Sequence, residues 1–536
     1  MILISTTQKR FALVCRFGGD QNHQDFLLKR RSVSGITEEI IETFIHKKGI
    51  SILLAGTKGT GKSCEGIFIT KGFIDRGMVV LLEQGNEQFL IIEDQAFGKH
   101  NELVNRILAK YGEPPIVEPG VYEFASLDKL FLKLCSDPIV AHILDIGDNY
   151  SGAIDVNHPQ IIISSPNSDK LKRSGEVQSL RIWYLNPWTW QELLALNERL
   201  PSPDDQKALP FVKKTADDLK ELVRIFGPVP REIFKDQAVR DAAGALEDTL
   251  KGISLAVWND ILTTADYSKL PRSVPGQLVL ITKRHDSEML CDVRFASNYV
   301  ARLVARRFYQ QERTKLLALA QSMKVEQNFN SGLRAAILQQ RMNEEFLKGS
   351  QRLEIAPLLA DGTQGAKCAF DVPQLTLREF RSSKCKDLTE VRENDYCLAI
   401  APNFTSIESF IVVQRRRLGI EEDGLIIVGL QATIAKDHII KPRGLIDAQD
   451  QCCSLLGMTP VQLPICVIFV TTHNGIQTRQ KVGRKPNNFR PFDRDFRQFV
   501  CTDIDFTEIL RIHPESSPTE LETNVGEEEG DDDDDE

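Results

Sequence analysis

Apolar and polar positions alternate in a readable way from Ile50 onward. The run Ile52-Leu53-Leu54-Ala55 is followed by a glycine-rich turn, a helix-like stretch to about Arg76, and a second apolar run over 78–82. That order predicts strand, loop, helix, strand. Two further short apolar runs, 139–144 and 160–163, each end in polar residues and suit additional parallel strands, buried on both faces, of one sheet. A three-layer α/β domain follows from these elements. After Asp204 the period changes: Leu219, Leu222, Val223 and Phe226 stand at helical spacing before a Gly227-Pro228 break, which predicts a helical subdomain. Another helix-rich stretch covers 297–348 and is interrupted near 328–332. Strand-like runs then return at 396–400, 407–413, 425–434 and 465–471. The expected organisation is a lead-in over 1–35, an α/β core over 36–200, a helical subdomain and linker over 201–328, a second α/β domain over 329–505, and a tail over 506–536. No internal repeat is visible.

The turn after the first strand is Gly56-Thr57-Lys58-Gly59-Thr60-Gly61-Lys62-Ser63, a complete GxxxxGK[ST] between a strand and a helix. Glycines are needed there because the backbone must wrap its N–H groups around phosphate oxygens in dihedrals that side chains disfavour, and the following helix N-terminus adds favourable partial charge. Lys62 is expected to reach the β- and γ-phosphates of ATP, and the Ser63 hydroxyl to bind Mg²⁺. The nucleotide-binding set is therefore Gly56, Thr57, Lys58, Gly59, Thr60, Gly61, Lys62, Ser63 and Cys64, with Ser165 at the end of a neighbouring strand.

A Mg²⁺-nucleotide site also needs a carboxylate at a strand tip, and Asp145 closes the run 139–144. The next residue is Ile146, where many ATPases place a water-polarising glutamate, so turnover is expected to be slow or to draw its base from elsewhere. Ser164 and Ser165 end the next strand, where a hydroxyl can sense the γ-phosphate. Arg231, in Gly227-Pro228-Val229-Pro230-Arg231, is a candidate for bringing a cation to the phosphates. The segment Asn167-Ser168-Asp169-Lys170 is not the NKxD arrangement that reads guanine, which disfavours a GTPase.

Several of these segments together resemble one group, the P-loop NTPases of Crinkler effectors and retrotransposon hot spot proteins. The residues that carry the likeness are the phosphate loop, Ile161-Ile162-Ile163-Ser164-Ser165-Pro166-Asn167, the aromatic block Trp183-Tyr184-Leu185-Asn186-Pro187-Trp188-Thr189-Trp190-Gln191-Glu192-Leu193, and Gly227 to Arg231. It covers most of 50–310. Read from the residues alone, Trp183 and Trp188 are core packing. The resemblance implies an AAA+/STAND-like NTPase with a helical subdomain, followed by a restriction-endonuclease-like α/β domain. In that second domain Glu408 stands where the family usually has aspartate, Gln431 offers an amide oxygen, and Thr433 occupies the place of the usual lysine, for which Lys436 is the substitute. Glu408 is thus a candidate Mg²⁺ ligand, and Glu408, Gln431 and Lys436 are the candidate nuclease residues. Upstream, Gln339 and Gln340, with Glu344 and Glu345 a turn later, lie near the place of a first-helix glutamate. These departures leave a weakened or inactive nuclease as open as an active one. For His438 a strand-end structural role outweighs a catalytic one.

Charge changes the picture only at the end of the chain. The formal net charge is −9, and 527–536 alone carries nine acidic residues, so the rest of the chain is balanced. Between Arg479 and Arg497, basic residues interleave with Phe489, Phe492 and Phe496, a pattern that suits a nucleic-acid path or a solvated surface. Arg415-Arg416-Arg417 extends that patch or serves nuclear import. With 42% hydrophobic and 26% charged residues the chain has globular composition. Eleven cysteines without a CxxC pair point away from a zinc ribbon or a secreted disulfide framework. No apolar run approaches membrane-spanning length, and the N-terminus has no signal-peptide core, so no membrane partner is expected.

Three functional classes fit: an ATP-driven effector or conflict protein that gates a nuclease-like module on DNA, an ATP-loaded switch or scaffold gripping chromatin or a host nuclear protein, and an unrelated P-loop small-molecule kinase. The resemblance implies action in the nucleus, with a cytoplasmic location as the alternative.

Overall fold

In a computed structural model of the chain, the described residues are 30, 34–47, 49–84, 87–110, 115–124, 139–146, 159–164, 180–200, 202, 211–235, 238–264, 276–284, 290–322, 330–381, 385–400, 407–433, 440, 442–471, 476, 479–480 and 497–504. The chain forms two compact units, Met1–Val300 and Ala301–Glu536. The division falls at Val300, whereas the helical pattern places the main boundary near 328.

In chain order the first unit contains α1 (Ser34–His46), β1 (Ser51–Ala55), α2 (Lys62–Asp75), β2 (Val79–Gln84), β3 (Glu87–Ile92), α3 (Asp94–Lys110), β4 (Gly120–Phe124), β5 (Val140–Ile146), β6 (Ile161–Ser164), β7 (Leu180–Tyr184) and α4 (Trp190–Asn197). Then come α5 (Ala216–Phe226), α6 (Pro230–Ile233), α7 (Val239–Lys251), α8 (Leu255–Thr263), β8 (Val279–Lys283) and β9 (Cys291–Phe295), and α9 (Asn298–Tyr309) crosses the division. The sheet order is β4-β3-β2-β5-β6-β1-β7. The five strands from β2 to β7 are parallel, and β3 and β4 add an antiparallel edge that the apolar runs did not announce.

Alternation along β2 shows why this is a three-layer unit. Val80 and Leu82 pack with Ile40 and Ile41 of α1 and Ile69 and Phe73 of α2. Their neighbours Val79 and Leu81 pack with Val104, Ile107 and Leu108 of α3. Successive side chains of a strand point to opposite faces, so both faces are covered by helices. Accordingly β1, β5 and β6 are buried at every position. The helical part is held by amphipathic α5, which buries Leu219, Leu222, Ile225 and Phe226 behind a Thr215 N-cap. α8 buries Trp258 behind a Ser254 cap, and β8 and β9 form an antiparallel hairpin.

The second unit adds α10 (Arg313–Ser322), α11 (Asn330–Lys348), β10 (Gln351–Pro357), β11 (Cys368–Val372), β12 (Thr376–Phe380), β13 (Asp395–Ala399), β14 (Ser409–Gln414), β15 (Leu425–Ala432), α12 (Pro442–Leu456), β16 (Ile465–Val470) and β17 (Gln498–Cys501). Its eight strands run β11-β10-β17-β16-β15-β14-β13-β12. Strands β11 and β12 are thus opposite edges of the sheet, yet they are joined directly through residues 373–375. A flat eight-stranded sheet holds its edge strands ~34 Å apart, at ~4.8 Å per strand. The step from Val372 to Thr376 spans at most ~14 Å. The sheet must therefore curl strongly. Helix α11 touches strands near both edges, with the Phe346 ring tilted against Phe370 of β11 at 6.3 Å between centroids and Asn343 accepting a 2.6 Å hydrogen bond from Tyr396 of β13. Helix α12 packs Leu445, Ala448 and Cys452 into the other core, with Phe380, Phe410, Val412 and Phe469. Among the described residues, no helix is long and apolar enough to cross a membrane.

Candidate functional site

The loop between β1 and α2 follows its sequence pattern in backbone terms. Gly56, Gly59 and Gly61 have φ of 143°, 89° and 94°, in the region that side chains disfavour. Space adds a second reason at two of them. A Cβ on Gly56 would lie 2.9 Å from the Leu185 carbonyl oxygen, and one on Gly59 would lie 2.9 Å from Cβ of Arg231 and 3.1 Å from Val229. Gly61 caps α2, so the first turn of that helix opens directly onto the loop.

Three segments from distant parts of the sequence grip this loop. The strap after β7 runs along one side, with Leu185 N–H bonding the Ala55 carbonyl at 2.9 Å and the Trp188 indole N–H donating to the Thr60 carbonyl at 2.8 Å. The segment 229–231 abuts Gly59. From the β8 hairpin, Ile281 N–H donates to Thr57 Oγ1 at 2.8 Å, and Gly276 lies so close to Lys58 that a Cβ there would meet its carbonyl oxygen at 2.6 Å. The Ile281–Thr57 bond had no signal in residue spacing, because it joins positions 224 apart in sequence. Trp188, read as core packing, is a support of the phosphate loop through its N–H.

Lys62 is buried, and its Nζ donates to the carbonyls of Gly56 at 3.0 Å and Thr57 at 2.7 Å. The ammonium therefore lies across the mouth of the loop. Asp145, at the tip of β5, is 8% exposed. Burial raises its pKa, opposed by a hydrogen bond from Ser63 and by the charge of Lys62. Strand order explains how these groups meet: β6 lies between β1 and β5, and Asp145 pairs in register with Ile163. Ser164 is buried at the end of β6, opposite Ile146. Arg231 is exposed on α6, its Cβ against Gly59. Cys64 is half-buried in the first turn of α2. Ser165 lies outside the described residues, as does Asp148.

In the second unit the structure brings Glu408 and Gln431 together, because β14 begins where antiparallel β15 ends. Gln431 Nε2 donates to Glu408 Oε1 at 3.2 Å and the Ala432 N–H to Oε2 at 3.0 Å. Burial pushes the Glu408 pKa up to about 7, against the lowering effects of the Ala432 N–H, the Arg302 charge and Gln431. Glu344 and Glu345 of α11 are ion-paired to Arg341 at 3.1 and 2.8 Å. Gln339 is buried on the same helix. Lys436, His438 and the tail lie outside the described residues, as do all the basic and aromatic residues of the 479–497 stretch except Arg479 and Arg497. Of the arginine triplet, Arg415 is tied to Glu422 at 2.6 Å and to the carbonyls of Leu425 and Gln462.

The two corners differ as metal sites. Ser63 and Asp145 place a hydroxyl and a carboxylate side by side next to a phosphate loop, a donor set that fits Mg²⁺. The Glu408 corner offers one carboxylate, each of whose oxygens accepts one N–H. Among the described residues, no group of three His, Cys, Asp or Glu side chains is placed to hold a metal ion. Glu408 and Gln431 stand together as the sequence pattern places them, and Glu408 remains a candidate Mg²⁺ ligand.

No family model matches the chain, and no curated protein matches it. Among solved structures, AMPPCP-bound DnaA from Aquifex aeolicus aligns with 59% of this chain and 90% of its own at 12% identity, with a TM-score of 0.22. A superposition that loose carries no argument about this chain, which is described by its own geometry as a mixed α/β protein with a parallel sheet beneath a glycine loop.

Proposed function

We propose that the first unit is a P-loop NTPase that binds ATP with Mg²⁺ and works as a nucleotide-loaded switch. The observation that carries this reading is the convergence on one loop of a buried lysine, a helix N-terminus and the Ser63–Asp145 pair. The fold supports it: one strand inserted between the loop strand and the carboxylate strand, with a helical subdomain following, suits an AAA+/STAND-like arrangement. Ser63 and Asp145 would hold Mg²⁺ there, and the ion would supply charge that offsets that of the phosphates. Within the chain, Lys62 would exchange its two carbonyl partners for phosphate oxygens, and the loop amides would accept the rest of the charge. Arg231 stands beside Gly59 and is placed to add a cation from α6. Because α6 and the β8 hairpin both rest on the loop, a change in its conformation on binding would move the helical subdomain.

For the second unit, the order helix, β13-β14-β15, α12, β16, with β16 parallel to β15, supports a restriction-endonuclease-like core, elaborated by β10–β12 and β17. The Crinkler and retrotransposon hot spot likeness rests on the sequence segments named above and extends this reading to a protein acting on DNA or chromatin in the nucleus. On this reading the second unit binds nucleic acid rather than cutting it.

The test is purified full-length protein with Mg²⁺-ATP, assayed for binding and turnover with and without DNA, and for breaks in plasmid DNA. Lys62→Ala should lose nucleotide binding while remaining folded. The switch reading expects no nicking by wild type. Mg²⁺-dependent nicking lost in Glu408→Ala would replace it with an active nuclease, and turnover requiring a small acceptor would replace it with a kinase.

A further inference from the structure

Ahead of the first helix lies one residue that the sequence pattern treats as part of a lead-in. Arg30 is 4% exposed, which is costly for a guanidinium unless its donors are met. Among the described residues, four of its hydrogen bonds fall in one neighbourhood. NH1 donates to the Asn186 carbonyl at 3.0 Å, NH2 to the Pro187 carbonyl at 2.9 Å, and Nε and NH2 to Glu192 Oε2 at 3.3 and 3.1 Å. The guanidinium lies 4.9 Å from the centre of the Trp188 ring.

We propose that Arg30 is the positioning residue of the nucleotide loop and acts on it through Trp188. This deepens the nucleotide reading above and rests on it.

The chain of contacts is short and continuous. Glu192, the partner of Arg30, also accepts the Thr189 N–H at 2.9 Å in a capping box that starts α4. Arg30, the helix start and the carbonyls of 186 and 187 therefore form one rigid corner that fixes the strap. Trp188 projects from that corner, donates to the Thr60 carbonyl, and lies 3.9 Å from where a Cβ of Gly61 would stand. Thr60 and Gly61 immediately precede Lys62. A shift at Arg30 thus reaches the lysine through one side chain. On the far side, Glu65 of α2 accepts a hydrogen bond from Thr37 of α1 and interacts favourably with the Arg30 charge. A lysine at position 30 retains the charge but lacks both the fork that spans two carbonyls and a carboxylate and the flat face that lies over indole.

The experiment is a double-mutant cycle on the full-length chain, read by the affinity of a fluorescent ATP analogue with Mg²⁺ and, in parallel, by the urea unfolding midpoint. The variants are Arg30→Lys, Trp188→Phe, the two combined, and Lys62→Ala. Arg30→Lys and Trp188→Phe should each weaken binding by about tenfold, and the double variant should be no more than about threefold weaker than either, because both act on one path. A merely structural Arg30 would lower the urea midpoint and leave the affinity of the folded protein unchanged. That outcome, with Lys62→Ala still losing binding, overturns the proposal and spares the nucleotide reading. Fully additive losses also overturn it, since they remove Trp188 as the intermediary. Unchanged binding in Lys62→Ala would remove the nucleotide reading and this inference together.

Discussion

Asp145 and Glu408 are both carboxylates at strand junctions, both buried enough to raise their pKa, and they differ in what faces them. Asp145 meets a hydroxyl that can share a cation and a lysine that lowers its pKa. Glu408 meets two N–H donors, one on each oxygen, and the charge of Arg302. The first environment keeps coordination sites in play beside a helix N-terminus. The second uses the carboxylate as a hydrogen-bond acceptor that closes the β14–β15 junction. Burial alone therefore does not distinguish the two corners; the chemistry of the partners does.

The largest effect should come from Lys62→Ala. Losing two charge-assisted contacts to phosphate should weaken ATP binding roughly a thousandfold, ~4 kcal/mol, in an equilibrium titration. No comparable loss is expected from Glu408→Ala, and an equal loss in both variants would break the contrast between the corners.

Next in size is the pH dependence of Glu408. Its pKa is about 7 when folded, against an ordinary 4.5, so the folded state binds the proton more tightly than the unfolded state. The stabilisation from this group is fully present below pH 4.5 and is lost as pH rises through 7, up to ~3 kcal/mol at alkaline pH. Glu408→Gln should flatten this part of the profile and raise the urea midpoint at pH 8. A profile unchanged by the substitution would show that the carboxyl is solvated.

Gly59→Ala should cost about tenfold in nucleotide affinity, because a Cβ there opposes both the left-handed backbone and Arg231. Equal affinity would mean that the grip of segment 229–231 on the loop is loose. The smallest effect is that of Gln431→Ala, which removes a donor that lowers the Glu408 pKa and should move the pH midpoint upward without touching ATP binding.

Much of the glycine-loop corner was legible because it is local. Gly56 to Ser63 encode their own backbone geometry, and Asp145 ends an apolar run whose length makes it a strand. Arg30, Thr57 and Trp188 were not legible in their roles. Thr57 acquires its role only when Ile281 arrives from the β8 hairpin, and Arg30 only when α4 begins beside it. In the second unit the sequence singles out Glu408 and Gln431, but their hydrogen bonds to each other and to Ala432 depend on the β14–β15 register. The curl of the sheet was equally hidden, since the short link from β11 to β12 matters only once both are known to be edges.

The sequence by itself determined the strand–glycine loop–helix unit, the lysine and hydroxyl it carries, and the alternation of apolar runs that makes a covered parallel sheet, because each depends on dihedral preference and on periodicity within about twenty residues. Only the tertiary structure decided which carboxylate stands beside a lysine and a hydroxyl and which beside two N–H donors, and which distant segments grip the loop. Desolvation and hydrogen-bond partners are properties of the packed neighbourhood, and that neighbourhood is assembled from residues that the chain keeps far apart.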